Sequence, residues 1–109
     1  MTIKWVQADP LVMSGEPFCY GSRVTVRRLL ELRANGATPS RLLADHPELR
    51  LMGIAAAYCF AADHPGRYAD LFGPGGELVG PAFTADEAAG LPKRYRRPRV
   101  VIADGPPAT

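Results

Sequence analysis

The stretch from Arg50 to Asp63 constrains this chain most, because its residues are apolar on nearly every helical face. Leucine, isoleucine, alanine and aromatic residues fill it, and this pattern predicts a helix that is buried on most sides. Such a helix lies either at the centre of a domain or against a second subunit. Leu49 and Arg50 offer no side-chain acceptor to the first amides, so we expect its amino end to lack a cap.

Two shorter helices are expected before this stretch. Apolar residues at helical spacing predict a helix from Val26 to Ala34, and the pair Asn35-Gly36 ends it. The pair Thr38-Pro39 supplies an N-cap and a typical first residue for the next helix, which extends to Asp45. That helix is short because the following residue, His46, precedes a proline and is disfavoured in a helix.

The segment before these helices predicts a small β element. Ile3–Gln7 and Pro17–Tyr20 have the composition of short strands. Gly21 begins a structural corner that requires a positive φ. Arg23 completes this corner, and we expect its planar guanidinium to brace backbone carbonyls or a carboxylate, with contact to a phosphate as the alternative.

Residues 65–109 are expected to form a less regular C-terminal extension of a domain built from residues 1–64. Pro65–Phe72 fits one or two helical turns, and a glycine-rich loop follows it. Thr84-Ala85-Asp86-Glu87 is a capping box, which predicts a short helix over Ala85–Ala89. Brief strands are expected at Glu77–Val79 and at Arg99–Ala103.

Charge is distributed unevenly along the chain. The net charge of +2 is too small to imply a nucleic-acid partner by itself, but residues 61–90 carry one basic and five acidic side chains, and residues 91–109 carry five basic and one acidic. The basic run could neutralise phosphates and stack a base, dock on an acidic partner protein, or be solvated. Its candidate binding residues are Lys93, Arg94, Tyr95, Arg96, Arg97 and Arg99.

No residue pattern in the sequence indicates catalysis, a metal site or a cofactor. His46 and His64 lie 18 residues apart with no companion ligands nearby, so we expect them to cap helix ends or face solvent rather than bind zinc. Cys19 and Cys59 have apolar neighbours and are expected to be reduced core residues. No secretory signal or membrane-length apolar run is evident, and we expect a cytoplasmic protein that is not an enzyme.

The second and third helices have the length and punctuation of a helix-turn-helix. In such a unit the second helix of the pair enters the major groove of DNA with its amino-terminal residues, and here that end offers one polar base reader, Arg50. From the residues alone, a structural helix pair or a dimer interface is an equal alternative. The candidate DNA-binding residues are Arg27, Arg28, Ser40, Arg41 and Arg50.

A series of short motifs within residues 8–64 resembles the bacterial DUF433 family. The motifs, in order, are Gly15-Glu16-Pro17, Gly21-Ser22-Arg23, Gly36-Ala37-Thr38-Pro39, His46-Pro47-Glu48-Leu49 and Ala55–Phe60. Each motif is short, but their combined order and spacing is specific. The chain departs from the family pattern in two places: Ser22 replaces the usual threonine, and Leu51-Met52 and their neighbours replace a capped, polar opening of the third helix.

The resemblance implies a mainly α fold with a three-helix, homeodomain-like helix-turn-helix core, to which the sequence adds the small N-terminal β element. It also implies a cytoplasmic antitoxin-like protein of the VapB type, one half of a toxin-antitoxin system, with a PIN-like nuclease toxin as partner. We expect such a protein to be a homodimer through the apolar third helix, to bind operator DNA in transcription regulation, and to hold the toxin with residues 65–109. The alternatives are a stand-alone DNA-binding regulator and a structural protein-interaction subunit.

Overall fold

The central element of the structure is an α-helix that the chain's own residues surround. The computed structural model describes residues 5–8, 15–19 and 21–103, which are mainly helical with a small two-stranded sheet. The α-helices are α1 (Val26–Ala34), α2 (Pro39–Asp45), α3 (Arg50–Asp63) and α4 (Ala85–Ala88), and the strands are β1 (Val6–Gln7) and β2 (Phe18–Cys19). Short 3-10 turns occupy Pro47–Leu49, Ala69–Leu71 and Lys93–Tyr95.

The centre of the fold is α3, as its apolar composition predicts. Its buried residues run without a break from Gly53 to Cys59, and Ala61, two residues further on, is also buried. Side chains from both ends of the chain cover it, including Leu29 of α1 and Tyr68 and Phe83 of the later segments. The burial of α3 therefore requires no second subunit. Val79 is the only large hydrophobic side chain that the described residues leave exposed.

The predicted bounds of α1, α2 and α3 are confirmed, and α4 ends at Ala88, one residue before the expected Ala89. Side-chain caps fix the first residues of α1 and α2. The Thr25 hydroxyl accepts a hydrogen bond from the Arg28 amide at 3.0 Å, and the Thr38 hydroxyl accepts one from the Arg41 amide at 3.2 Å. No side chain caps α3, again as predicted, and Arg50 begins that helix with a φ of +60°. This angle lies in a region that favours glycine.

The sheet is smaller than the sequence suggests. β1 and β2 pair antiparallel, with Val6 opposite Cys19 and Gln7 opposite Phe18. The expected strand residues Ile3, Lys4 and Tyr20 lie outside the described part of the chain. At Glu77–Val79 the structure has a single bridge between Leu78 and Phe72 instead of a strand.

The predicted strand at Arg99–Ala103 is wrong. Residues 99–101 form a turn, in which the Arg97 carbonyl accepts from the amides of Val100 and Val101. Val100 and Val101 are buried there. The apolar run that suggested a strand is instead a turn whose valine side chains pack into the core. Phe83 pairs with this turn by donating its amide to the Val101 carbonyl at 2.8 Å.

One hydrophobic core extends across the expected boundary at residue 64. It joins α1 and α3 to side chains of the extension (residues 65–103 as described), among them Leu71, Leu91 and Val101. The predicted capping box is confirmed, since Thr84 and Glu87 exchange side-chain and backbone hydrogen bonds at the start of α4. Cys19 and Cys59 are free and buried, as expected, and burial raises the pKa of the Cys19 thiol to about 12.

Candidate interaction surface

Arg27 ties α1 to the extension instead of facing outward. Its guanidinium donates to an Asp70 carboxylate oxygen at 3.0 Å and to the Arg67 carbonyl at 2.9 Å, and it lies 5.5 Å from the centre of the Tyr68 ring. The hydrogen bond from Arg27 lowers the pKa of the Asp70 carboxyl. A residue expected to contact DNA is therefore engaged within the chain.

Arg33 is a second tie between α1 and the extension, and sequence reasoning missed it. It is 1% exposed, and its guanidinium donates to the carbonyls of Val100 and Leu78. The Tyr58 ring lies beneath it, 4.5 Å from its central carbon. Burial lowers the pKa of the guanidinium. Its position was the available signal, because it follows the buried Leu29 by four residues, which places both on one helical face.

Arg96 and Arg97 anchor the basic run to the body of the protein. Arg97 donates to an Asp63 carboxylate oxygen at 2.8 Å and to the Cys59 carbonyl at 3.3 Å, both at the carboxyl end of α3. Arg96 donates to the Leu91 carbonyl at 2.8 Å. The expected binding segment is thus an ordered turn, which we call the basic turn (residues 93–97).

Two cations of the basic turn remain available to a partner. Lys93 and Arg94 are exposed, and neither side chain makes a hydrogen bond or an ion pair with the described residues. The Arg94 guanidinium lies 4.8 Å from the centre of the partly buried Tyr95 ring, a cation–π contact that supports this position of the side chain. Arg99, also expected in this set, lies on the neighbouring turn and donates to the Gly75 carbonyl at 3.5 Å.

The expected DNA-binding residues of α1 and α2 have partners within the chain. Arg41 pairs with Asp45 at 2.9 Å, and Arg28 lies 3.7 Å from Glu31. The Ser40 hydroxyl donates to Glu87 of α4 at 2.9 Å. Arg50 differs, since it is exposed and has no partner among residues 5–8, 15–19 and 21–103.

Ser22, and not Arg23, braces the corner before α1. Gly21 has the expected positive φ, +76°. The Ser22 hydroxyl donates to the Cys19 carbonyl at 3.0 Å and accepts from the Val24 amide at 3.1 Å, which closes the corner locally. Arg23 is exposed and makes no hydrogen bond with the described residues, so the bracing role predicted for it is not seen there.

The two histidines lie at helix ends. Nδ1 of His64 lies 2.9 Å from the Phe60 carbonyl, and its ring stacks on the Phe60 ring at 4.3 Å, so it caps the carboxyl end of α3 as expected. His46 follows the last residue of α2 and lies 3.6 Å from Glu48. Within the described residues, no three His, Cys, Asp or Glu side chains come close enough to hold a metal ion.

The first half of the chain matches a known protein family. The model of DUF433, described as a protein of unknown function, matches residues 6–61, just over half of the chain. The chain belongs to the DUF433 family. No curated protein and no solved structure matches it.

The DUF433 segment contains α1, α2 and nearly all of α3, whereas α4 and the basic turn follow it. Arg27 and Arg33 therefore connect the DUF433 segment to residues beyond the family match. In the part of the chain that the structure describes, no helix has the length and apolar content needed to cross a membrane.

Proposed function

We propose that this DUF433 protein is a non-catalytic, antitoxin-like protein that binds an acidic partner, a PIN-like nuclease, through its basic turn. The observation that carries the proposal is the exposure of Lys93 and Arg94 without acidic partners among the described residues. The nuclease class, and a place in the cytoplasm, come from the family resemblance and not from the geometry.

The basic turn is suited to binding because it is already ordered. Arg96 and Arg97 fix its backbone to Leu91 and to α3, and Tyr95 supports the Arg94 side chain. A binding segment that is held in place loses less conformational entropy when it binds. Two adjacent cations also accelerate encounter with a carboxylate-lined site, such as the metal-binding centre of a nuclease.

Charge reversal tests this assignment. The double variant Lys93→Glu/Arg94→Glu, co-expressed with the proposed PIN-like nuclease partner, is expected to lose co-purification and protection of the host. The double variant Arg28→Glu/Arg41→Glu makes the same charge change at paired residues on α1 and α2 and is the matched control. Circular dichroism checks that both variants are folded. Undiminished protection by the first variant would overturn the proposal.

A second candidate function is DNA binding by a homeodomain-like helix-turn-helix formed from α1, α2 and α3. Arg50 favours it, because this exposed cation stands at the first residue of α3, where such a unit contacts bases. The rest of α3 is buried, so contact with bases would be limited to its first turn. Dimerisation through the apolar face of α3 is not part of either proposal, since the chain itself covers that face.

Gel-shift measurements with DNA from upstream of its own gene separate the two candidates. Binding that weakens steeply with added salt and is lost in Arg50→Ala would support the regulator. Failure to bind DNA at low salt would exclude the DNA-binding regulator and leave the protein-binding proposal unaffected. The Lys93→Glu/Arg94→Glu variant serves as a comparison, because it alters charge away from α3.

A further inference from the structure

The end of α1 carries the only asparagine of the sequence, and a glycine follows it. Asn35 is the C-cap of α1, with φ −86° and ψ 7°, and Gly36 has a φ of +101°. Both residues are exposed, and the Asn35 side chain makes no hydrogen bond with the described residues. The pair therefore ends the helix through its backbone and leaves the side-chain amide in contact with solvent.

Asparagine followed by glycine is a pair that favours spontaneous deamidation, because glycine has no side chain to obstruct ring closure. The backbone nitrogen of Gly36 attacks the Cγ carbonyl carbon of Asn35, and a new C–N bond closes a succinimide ring. The side-chain amide nitrogen takes up the proton that the Gly36 nitrogen gives up and leaves as ammonia. Water then opens the ring at either carbonyl. The products are aspartate and isoaspartate, and isoaspartate adds one carbon to the backbone.

The structure gives this reaction space and one restraint. A Cβ built on Gly36 would have no heavy atom within 4 Å, so the ring can form without a clash there. The restraint is the Gly36 amide, which donates to the Arg33 carbonyl at 2.9 Å and must be released before attack. This bond lies at the end of a helix, where local opening costs little free energy. The reaction therefore requires opening of the end of α1 and not unfolding of the protein.

The same end of α1 holds the extension. Arg33 lies two residues before Asn35, and its guanidinium donates to two carbonyls of the extension. The Arg33 carbonyl that accepts from Gly36 also lies against Gly80. A carboxylate at Asn35 would face the negative end of the helix dipole, and the additional carbon of isoaspartate would displace the amides that close the helix. A change at an exposed residue thus reaches the buried contact between α1 and the extension.

We propose that Asn35 and Gly36 form a site of spontaneous deamidation in the folded protein, and that the isoaspartate product loosens the attachment of α1 to the extension. The site lies outside the basic turn and needs no partner. It is therefore independent of the proposed nuclease binding.

Mass spectrometry of the full chain tests the reaction. The chain is incubated at mildly alkaline pH, both folded and in concentrated urea, and the tryptic peptide 34–41 is followed with time. We expect a gain of one dalton under both conditions, more slowly in the folded protein. Asn35→Gln is the control and should show no such gain, because glutamine must close a larger ring. No gain in the folded protein would overturn the proposal.

The ratio of the two rates separates local opening from global unfolding. If the end of α1 opens locally, the folded rate divided by the rate in urea should exceed the unfolded fraction, which urea denaturation measures independently. A ratio equal to that fraction would mean that only the unfolded chain reacts, which would contradict a site in the folded protein.

Hydrogen exchange of the purified isoaspartate product tests the effect on the extension. The Phe83 amide donates to Val101 in the turn that Arg33 holds, so its exchange should be faster in the product than in the parent chain. Freshly prepared Asn35→Asp adds the charge without the additional backbone carbon and should give a smaller increase. Unchanged protection of Phe83 in the isoaspartate product would overturn the proposed loosening.

Discussion

The guanidinium of Arg33 lies over the Tyr58 ring, 4.5 Å from its centre, and this pair joins α1 to α3 in the core. Both side chains are buried, and burial raises the pKa of the Tyr58 hydroxyl to about 12. From this position Arg33 donates to the carbonyls of Leu78 and Val100. One side chain thus connects the two central helices to two separate segments of the extension.

Replacing Arg33 is expected to destabilise the protein in proportion to the volume removed. Arg33→Ala leaves a cavity and two unpaired carbonyls, and we expect a loss of about 3–5 kcal/mol in the free energy of unfolding. Arg33→Met leaves the same carbonyls unpaired but fills the space and removes the buried charge, so its loss should be smaller. Urea denaturation measures both, and equal losses would show that packing at this position is unimportant.

Gly80→Ala is expected to be among the most destabilising single changes in the extension. Gly80 has a φ of +104°, and a Cβ there would collide with the backbone carbonyl of Arg33. The strained backbone of alanine at this angle and the displacement of α1 should together lower the free energy of unfolding by more than about 2 kcal/mol. Gly66→Ala is the matched control, since Gly66 has ordinary backbone angles and open space around it. Thermal unfolding should therefore separate the two variants clearly, and similar midpoints would contradict the close approach at Gly80.

Arg50→Gly is expected to stabilise the fold. Arg50 has φ +60° and ψ 154°, a combination that costs a non-glycine residue about 1–3 kcal/mol. Glycine removes this strain but adds flexibility to the unfolded chain, so we expect a net gain of about 1 kcal/mol. Arg50→Ala keeps the strain and should show no gain in urea denaturation. A gain of the same size in both variants would point to charge instead of backbone strain.

Glu87 is expected to make the stability of the protein depend on acidic pH. Hydrogen bonds from the Thr84 amide and the Ser40 hydroxyl lower the pKa of its carboxyl. The ionised Glu87 carboxylate therefore stabilises the folded protein fully above the carboxyl's unfolded pKa of about 4.3. This stabilisation is lost as pH falls through the lower pKa of the folded state. Glu87→Gln should be less stable than the parent chain at neutral pH, and the difference should shrink below pH 4.3. A difference that is constant with pH would contradict this role.

The helices could be predicted from the sequence because their signals are local. Thr25, Thr38 and the pair Asn35-Gly36 fix where α1 and α2 begin or end, and capping needs only neighbouring residues. The turn at Arg99–Ala103 could not be predicted in the same way. Its valines are as apolar as those of a strand. Their carbonyls accept hydrogen bonds from Phe83 and Arg33, which lie far from them in the sequence, so the turn depends on tertiary contacts.

The candidate surface was harder to predict because charge alone does not show which arginines are engaged. Lys93, Arg94 and Arg97 are alike in sequence, yet Arg97 is fixed by Asp63, 34 residues earlier in the chain. Arg27 is likewise fixed by Asp70, 43 residues later. Such pairs depend on the tertiary fold, so the basic run could be found in the sequence but its exposed members could not.

The glycine loop at residues 73–76 lies between two attachments to the same helix. Arg27 of α1 holds Asp70 before the loop, and Arg33 of α1 holds Leu78 after it. The segments on either side of the loop are therefore each attached to α1 by contacts that do not involve the loop backbone. A protein cleaved there should stay assembled without a covalent link, and two separately expressed fragments divided at this loop should reconstitute the fold on mixing.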